Sequence, residues 1–218
     1  GKNGTKDQVT ISTTQTQTEQ NSTIHFGESG DCGTANAIKN ISATGHIDFR
    51  FSINHQSAYL VFQPYTSNTI LQKCYLTKVE VTSDDDIAAT YTLDPVNGLT
   101  GTGTGKQITL TTKGSGTYTN GFPLNTHSAN VTTNGAYMVI KPGTHTLKVR
   151  YWVKDIVTNV EGAITKTLTS FNYEKNNYYD MTAELNVHDY DGDHYYTWDA
   201  KKQYWDGWEW TKKLSDGQ

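Results

Sequence analysis

With 218 residues the chain is long enough to bury a full core as one all-β domain, and its 18 basic against 22 acidic residues, net -4, argue against a phosphate-binding surface and so against nucleic acid as a partner. Only 34% of the residues are hydrophobic while 35 are threonine, a mixture that suits pleated, half-buried strands better than helices. No apolar run approaches a membrane span and the first twenty residues lack an apolar export core, so the chain is expected to be soluble or to have lost its export segment already.

Residues 1–22 are mostly Thr, Gln, Asn and Gly, with little apolar surface to offset the entropy of ordering a backbone, and read as a flexible lead-in. The chain opens on Gly rather than Met, so its natural start is expected upstream. Over 46–54 the alternation is clean: Ile47, Phe49, Phe51 and Ile53 face one way, Asp48, Arg50 and Ser52 the other. This period predicts a strand with its apolar face on the core. Ala58-Tyr59-Leu60-Val61-Phe62, closed by Pro64, predicts a short strand buried on both faces. In 73–81 the apolar period of Cys74, Leu76, Val79 and Val81 slips by one between Leu76 and Val79, which predicts a bulge. Residues 89–93 and 107–111 are weaker strands, expected to form a hairpin across the glycine-rich 97–105 with its Asn97-Gly98 turn signal.

In the second half Ala136-Tyr137-Met138-Val139-Ile140 runs into Lys141-Pro142-Gly143, after which Leu147, Val149, Tyr151 and Val153 alternate. Strand, turn and strand predict a hairpin. Residues 163–171 and 178–187 continue the pattern, giving nine or ten strands, no helix, and an all-β sandwich of Greek-key-like antiparallel sheets over 23–187. Residues 188–218 form a distinct acidic and aromatic tail that holds four of the five tryptophans.

Four sets of residues are candidates for chemistry. Cys32 and Cys74 either close a disulfide across about forty residues, which would stabilise by roughly 3–4 kcal/mol, or stand as a loop thiol and a small buried hydrophobe. Asp189, Asp191 and Asp193 place carboxylates at alternate positions, as a Ca²⁺ loop requires, but His194 stands where such a loop wants glycine and Ala200 where it wants a bidentate acid. A solvated turn is the other reading. Trp198, Trp205, Trp208 and Trp210 would either stack on sugar rings beside carboxylates or pack their rings as structure. His55 and Ser57 in Asn54-His55-Gln56-Ser57 lack an assignable acid partner and read as strand-end residues. No nucleophile elbow, zinc motif, P-loop or dinucleotide fingerprint is present, so neither a catalytic role nor a cofactor is expected.

Runs in the first half, Gly30-Asp31-Cys32-Gly33-Thr34-Ala35, residues 54–64, and residues 74–81 followed by 87–93, resemble fimbrillin-like proteins of the Bacteroides type. So do Ala136-Tyr137-Met138-Val139-Ile140-Lys141-Pro142-Gly143, Tyr178-Tyr179-Asp180-Met181-Thr182-Ala183 and Tyr195-Tyr196-Thr197-Trp198-Asp199-Ala200, in the same order and spacing over about 24–210. The resemblance implies a transthyretin-like β-sandwich at the cell surface, anchored to the outer membrane through a lipid upstream of this chain. Its implied role is structural subunit, anchor or tip adhesin of fimbriae, binding other fimbrial subunits or host and bacterial surface ligands by strand addition. Polymerising members are cut after an arginine near the N-terminus. The two arginines here, Arg50 and Arg150, both lie in predicted strands, so no such site is visible. The alternative from a different class is a surface glycan-binding module that uses the four tail tryptophans.

Overall fold

The computed structural model describes residues 7–186, and these form an all-β sandwich. In chain order the strands are β1 (Gln8–Thr10), β2 (Thr14–Gln17), β3 (Gly33–Thr34), β4 (Ile38–Ile41), β5 (Ile47–Arg50), β6 (Asn54–His55), β7 (Ala58–Tyr65), β8 (Tyr75–Ser83) and β9 (Thr90–Asp94). The second half supplies β10 (Gly98–Thr100), β11 (Gln107–Thr112), β12 (Phe122–Pro123), β13 (Ala136–Ile140), β14 (Gly143–His145), β15 (Leu147–Lys154), β16 (Glu161–Thr167), β17 (Phe171–Tyr173) and β18 (Tyr178–Glu184). Two single-turn helices, α1 (Phe26–Ser29) and α2 (Val131–Asn134), interrupt them. Among the described residues no helix is long and apolar enough to cross a membrane.

One layer is the sheet β16-β15-β8-β11-β2, with β12 paired to β8, and the other is the short sheet β13-β7-β18. The core lies between them: Leu76, Val79, Val81, Ile108, Leu110, Val149 and Tyr151 from the large sheet, and Leu60, Phe62 and Met138 from the short one. Phe62 meets Tyr151 edge to face, with centroids 6.1 Å apart. Burying each such side chain contributes about 1.5–3 kcal/mol. The opposite face of the short sheet, Tyr59, Val61, Tyr137 and Val139, is closed by Phe26 of α1. β7 is thus buried on both faces, as its unbroken apolar run predicts.

The slip in β8 is also real. Trp152 of β15 pairs with Lys78 and Val153 with Leu76, which leaves Thr77 unopposed as the bulged residue.

Four expectations are corrected. The lead-in contributes two strands: β1 pairs with β9, and β2 lies parallel to β11, because alternation in Thr14-Gln15-Thr16-Gln17 buries the glutamines rather than apolar side chains. The partner of β9 is β10, not β11, which lies between β8 and β2. Asp94 Oδ1 accepts from the Val96 and Asn97 amides and Gly98 takes φ +81°, so the turn closes on the nearest strand. β13 and β15 do not form a hairpin but lie in different sheets, since the chain changes layer through β14, which pairs with β17. Finally, β5 takes up only Ile47–Arg50 of the expected 46–54 strand, and Ile47, Phe49, Phe51 and Ile53 are all exposed, because among the described residues β5 pairs with β4 alone in a two-stranded hairpin. Besides antiparallel pairs, two ladders among the described residues run parallel, β2 with β11 and β18 with β7.

Candidate functional site

The short sheet ends on one side at β13, whose outward N–H and C=O groups need partners like those of any sheet edge. The N-terminal segment supplies them with side chains. Gln15 Nε2 donates to the Val139 carbonyl at 2.7 Å while its Oε1 accepts the Val139 N–H at 2.9 Å. Gln17 repeats this one step along the edge, donating to the Gly135 carbonyl at 3.0 Å and accepting the Tyr137 N–H at 2.7 Å. Between them His25 Nε2 donates to the Tyr137 carbonyl at 3.0 Å, a bond that fixes the proton on Nε2. A primary amide carries the same donor and acceptor as a peptide unit, so two glutamines two residues apart present the periodicity of a strand. β2 therefore belongs to the large sheet by its backbone and to the short sheet by its side chains.

Gln15 and Gln17 are 2% and 1% exposed, so these bonds run in a dry setting. Burial lowers the His25 pKa, the Tyr137 bond acting the other way, and His25 Nδ1 is buried without a partner. The ring is neutral at neutral pH.

A second cluster lies at the start of β7. Asp31 Oδ1 accepts from Tyr59 Oη at 2.5 Å and from His55 Nδ1 at 2.9 Å. The Tyr59 ring is sandwiched between Phe26 (4.9 Å, 8°) and the half-exposed Tyr178 (4.6 Å, 21°). Burial, then the Asp31 hydrogen bond, drives the Tyr59 phenol far above its ordinary pKa. His55 therefore does have an acid partner, which sequence reading missed because Asp31 lies on another loop. Ser57 Oγ donates to the Gly30 carbonyl at 3.4 Å, and burial beside Asp31 raises the Cys32 thiol. Neither is placed or charged as an activated nucleophile.

A third cluster ties the two layers. Asp86, 3% exposed, accepts from Lys141 Nζ at 3.0 Å, Tyr91 Oη at 2.9 Å and the Gly103 N–H at 3.0 Å. Burial pushes its pKa up, but these donors prevail and hold the carboxyl below the usual range.

The proposed disulfide is not formed. Cys32 and Cys74 are both free and buried: Cys32 sits between Asp31 and the Gln56 amide, whereas Cys74 ends a 3-10 turn and directs its thiol at the Ile70 carbonyl. Each is a small hydrophobe in its own pocket. The sugar-stacking candidates Trp198, Trp205, Trp208 and Trp210 and the calcium candidates Asp189, Asp191 and Asp193 lie outside the described residues. Among the described residues no group of three or more His, Cys, Asp or Glu is placed to hold a metal.

No family model matches the chain, and no curated protein matches it. Among solved structures, a candidate cell adhesion protein from Bacteroides fragilis superposes with TM-score 0.42 at 12% identity, covering 73% of this chain. The chain spans 55% of that structure's length.

Proposed function

We propose that the chain is a non-catalytic cell-surface subunit of the fimbrillin type, which joins fimbrial subunits or surface ligands through a strand edge. Its lipid anchor would lie upstream. One observation carries this reading: apart from one main-chain bond, from the Asn21 N–H to the Gly135 carbonyl, the β13 edge of the short sheet is held by the side chains of Gln15, Gln17 and His25 and not by a main-chain ladder. An incoming strand would find every outward donor and acceptor from Gly135 to Val139 in register, and would replace side-chain bonds with main-chain ones.

A fluorescent synthetic peptide of residues 8–21 tests the proposal. The Gln15→Ala/Gln17→Ala protein is expected to bind it more tightly than the parent, with the Tyr137 and Val139 amides gaining protection from hydrogen exchange. Absence of binding to either protein at millimolar peptide would refute the β13 edge as a contact.

A further inference from the structure

We propose that β5 pairs with β5 of a second copy of this chain, antiparallel and centred on Phe49, so that two hairpins join into one four-stranded sheet. This contact is separate from the β13 edge. Among the described residues the β4–β5 hairpin pairs only with itself, and an isolated two-stranded ribbon is marginal in water. On one face the hairpin exposes Ile41 (59%), Ile47 (49%) and Phe49 (61%), and Phe51 (64%), next in the alternation just past β5, is exposed as well, an apolar patch of the kind that marks an interaction surface.

The register follows from the ladder. The Ser42 N–H bonds the His46 carbonyl, so by the two-residue alternation Asn40↔Asp48 and Ile38↔Arg50 are the hydrogen-bonded pairs inside the hairpin. The main-chain groups of Ile47 and Phe49 then point away from β4, toward the free edge. Around a two-fold axis at Phe49 the sequence Ile47-Asp48-Phe49-Arg50-Phe51 is self-complementary. Phe49 meets its own copy, Ile47 meets Phe51, and on the opposite face each Asp48 lies across from Arg50 of the second copy. Within the chain neither Asp48 nor Arg50 has an ion-pair partner among the described residues, and Asp48 Oδ1 is shielded from water with no hydrogen bond. A partner of this exact charge order, rather than any apolar surface, is what the edge fits; edge pairing over five residues is a small interface, so association is expected at about 10–300 µM.

Sedimentation equilibrium of the full chain, from about 5 to 500 µM, reads the proposal. Asp48→Arg and Arg50→Asp each set like charges opposite one another twice per dimer and are expected to weaken association about tenfold or more. The double variant Asp48→Arg/Arg50→Asp restores it to within about threefold of the parent, which also rules out misfolding as the cause. Phe49→Asp, with like charges on the axis, is monomeric throughout. A parent chain that is monomeric at 500 µM, or a dimer indifferent to all four variants, would overturn the proposal. So would a monomeric chain that floats with phosphatidylcholine vesicles through Phe49, since the patch would then serve a lipid surface.

Discussion

Replacing Gln15 by alanine removes both bonds that its amide makes to Val139 while leaving the β2–β11 ladder untouched. Two main-chain groups at a nearly dry position lose their partner. An uncompensated buried polar group costs about 1–3 kcal/mol, and with some water entering the cavity the pair should cost about 2–4 kcal/mol. At 1.4 kcal/mol per decade, the Val139 amide should exchange its hydrogen roughly 30-fold to several hundredfold faster, with β8 amides changed far less. Gln15→Glu sharpens the test. At neutral pH its carboxylate still accepts the Val139 N–H but faces the Val139 carbonyl with no proton to donate. The folded state therefore raises this carboxyl's pKa above the unfolded value of about 4.3, so the penalty is full well above that pKa and fades as pH falls through it. The Glu variant should thus recover relative stability at pH 4 compared with pH 7. Native-state exchange of Val139 in the alanine variant within twofold of the parent would refute the view that the glutamines complete the edge.

Lys141→Met strands the buried Asp86 carboxylate and is expected to cost about 3–5 kcal/mol in urea unfolding, most of which Asp86→Asn in the same chain should recover. His25 is neutral in the folded state with a lowered pKa, so below pH 6.5 the unfolded chain takes up a proton that the folded one refuses. Stability should therefore fall as pH drops from 6.5 toward the folded pKa, and urea midpoints of His25→Gln at pH 7.5 and 5 should differ less than the parent's. Cys32 and Cys74 are buried free thiols, so a thiol reagent should modify neither until the protein is denatured and a reductant should leave the melting temperature unchanged.

The parts of this fold that a sequence displays are those whose signal is local. The unbroken run at Ala58-Tyr59-Leu60-Val61-Phe62 declares a strand covered on both sides, and the slipped period before Val79 declares the bulge at Thr77. Alternation at Ile47 to Ile53 declares a strand with one apolar face, but says nothing of what covers that face, and among the described residues that face is exposed. Pairings are less legible. β9 and β11 carry equal strand character, and only the Asp94-anchored turn makes β10 the partner. The glutamine edge left no mark: in a Thr- and Gln-rich stretch a buried amide and a solvated one are the same letter. Asp31 and His55, too, meet only because β3 pairs with β6.

The parallel ladder between β7 and β18 has a kinetic consequence. Its paired residues lie roughly 120 positions apart, and β13, on the other side of β7, closes over some 75. The middle strand of the short sheet thus waits with both flanks bare while most of the chain is still emerging, and cannot be completed until β18 arrives. High contact order of this kind slows folding and prolongs the exposure of an aggregation-prone strand. Truncation before β18 should therefore trap the chain in a form whose most hydrophobic strand has an open side, a form that invites a foreign strand in place of its own.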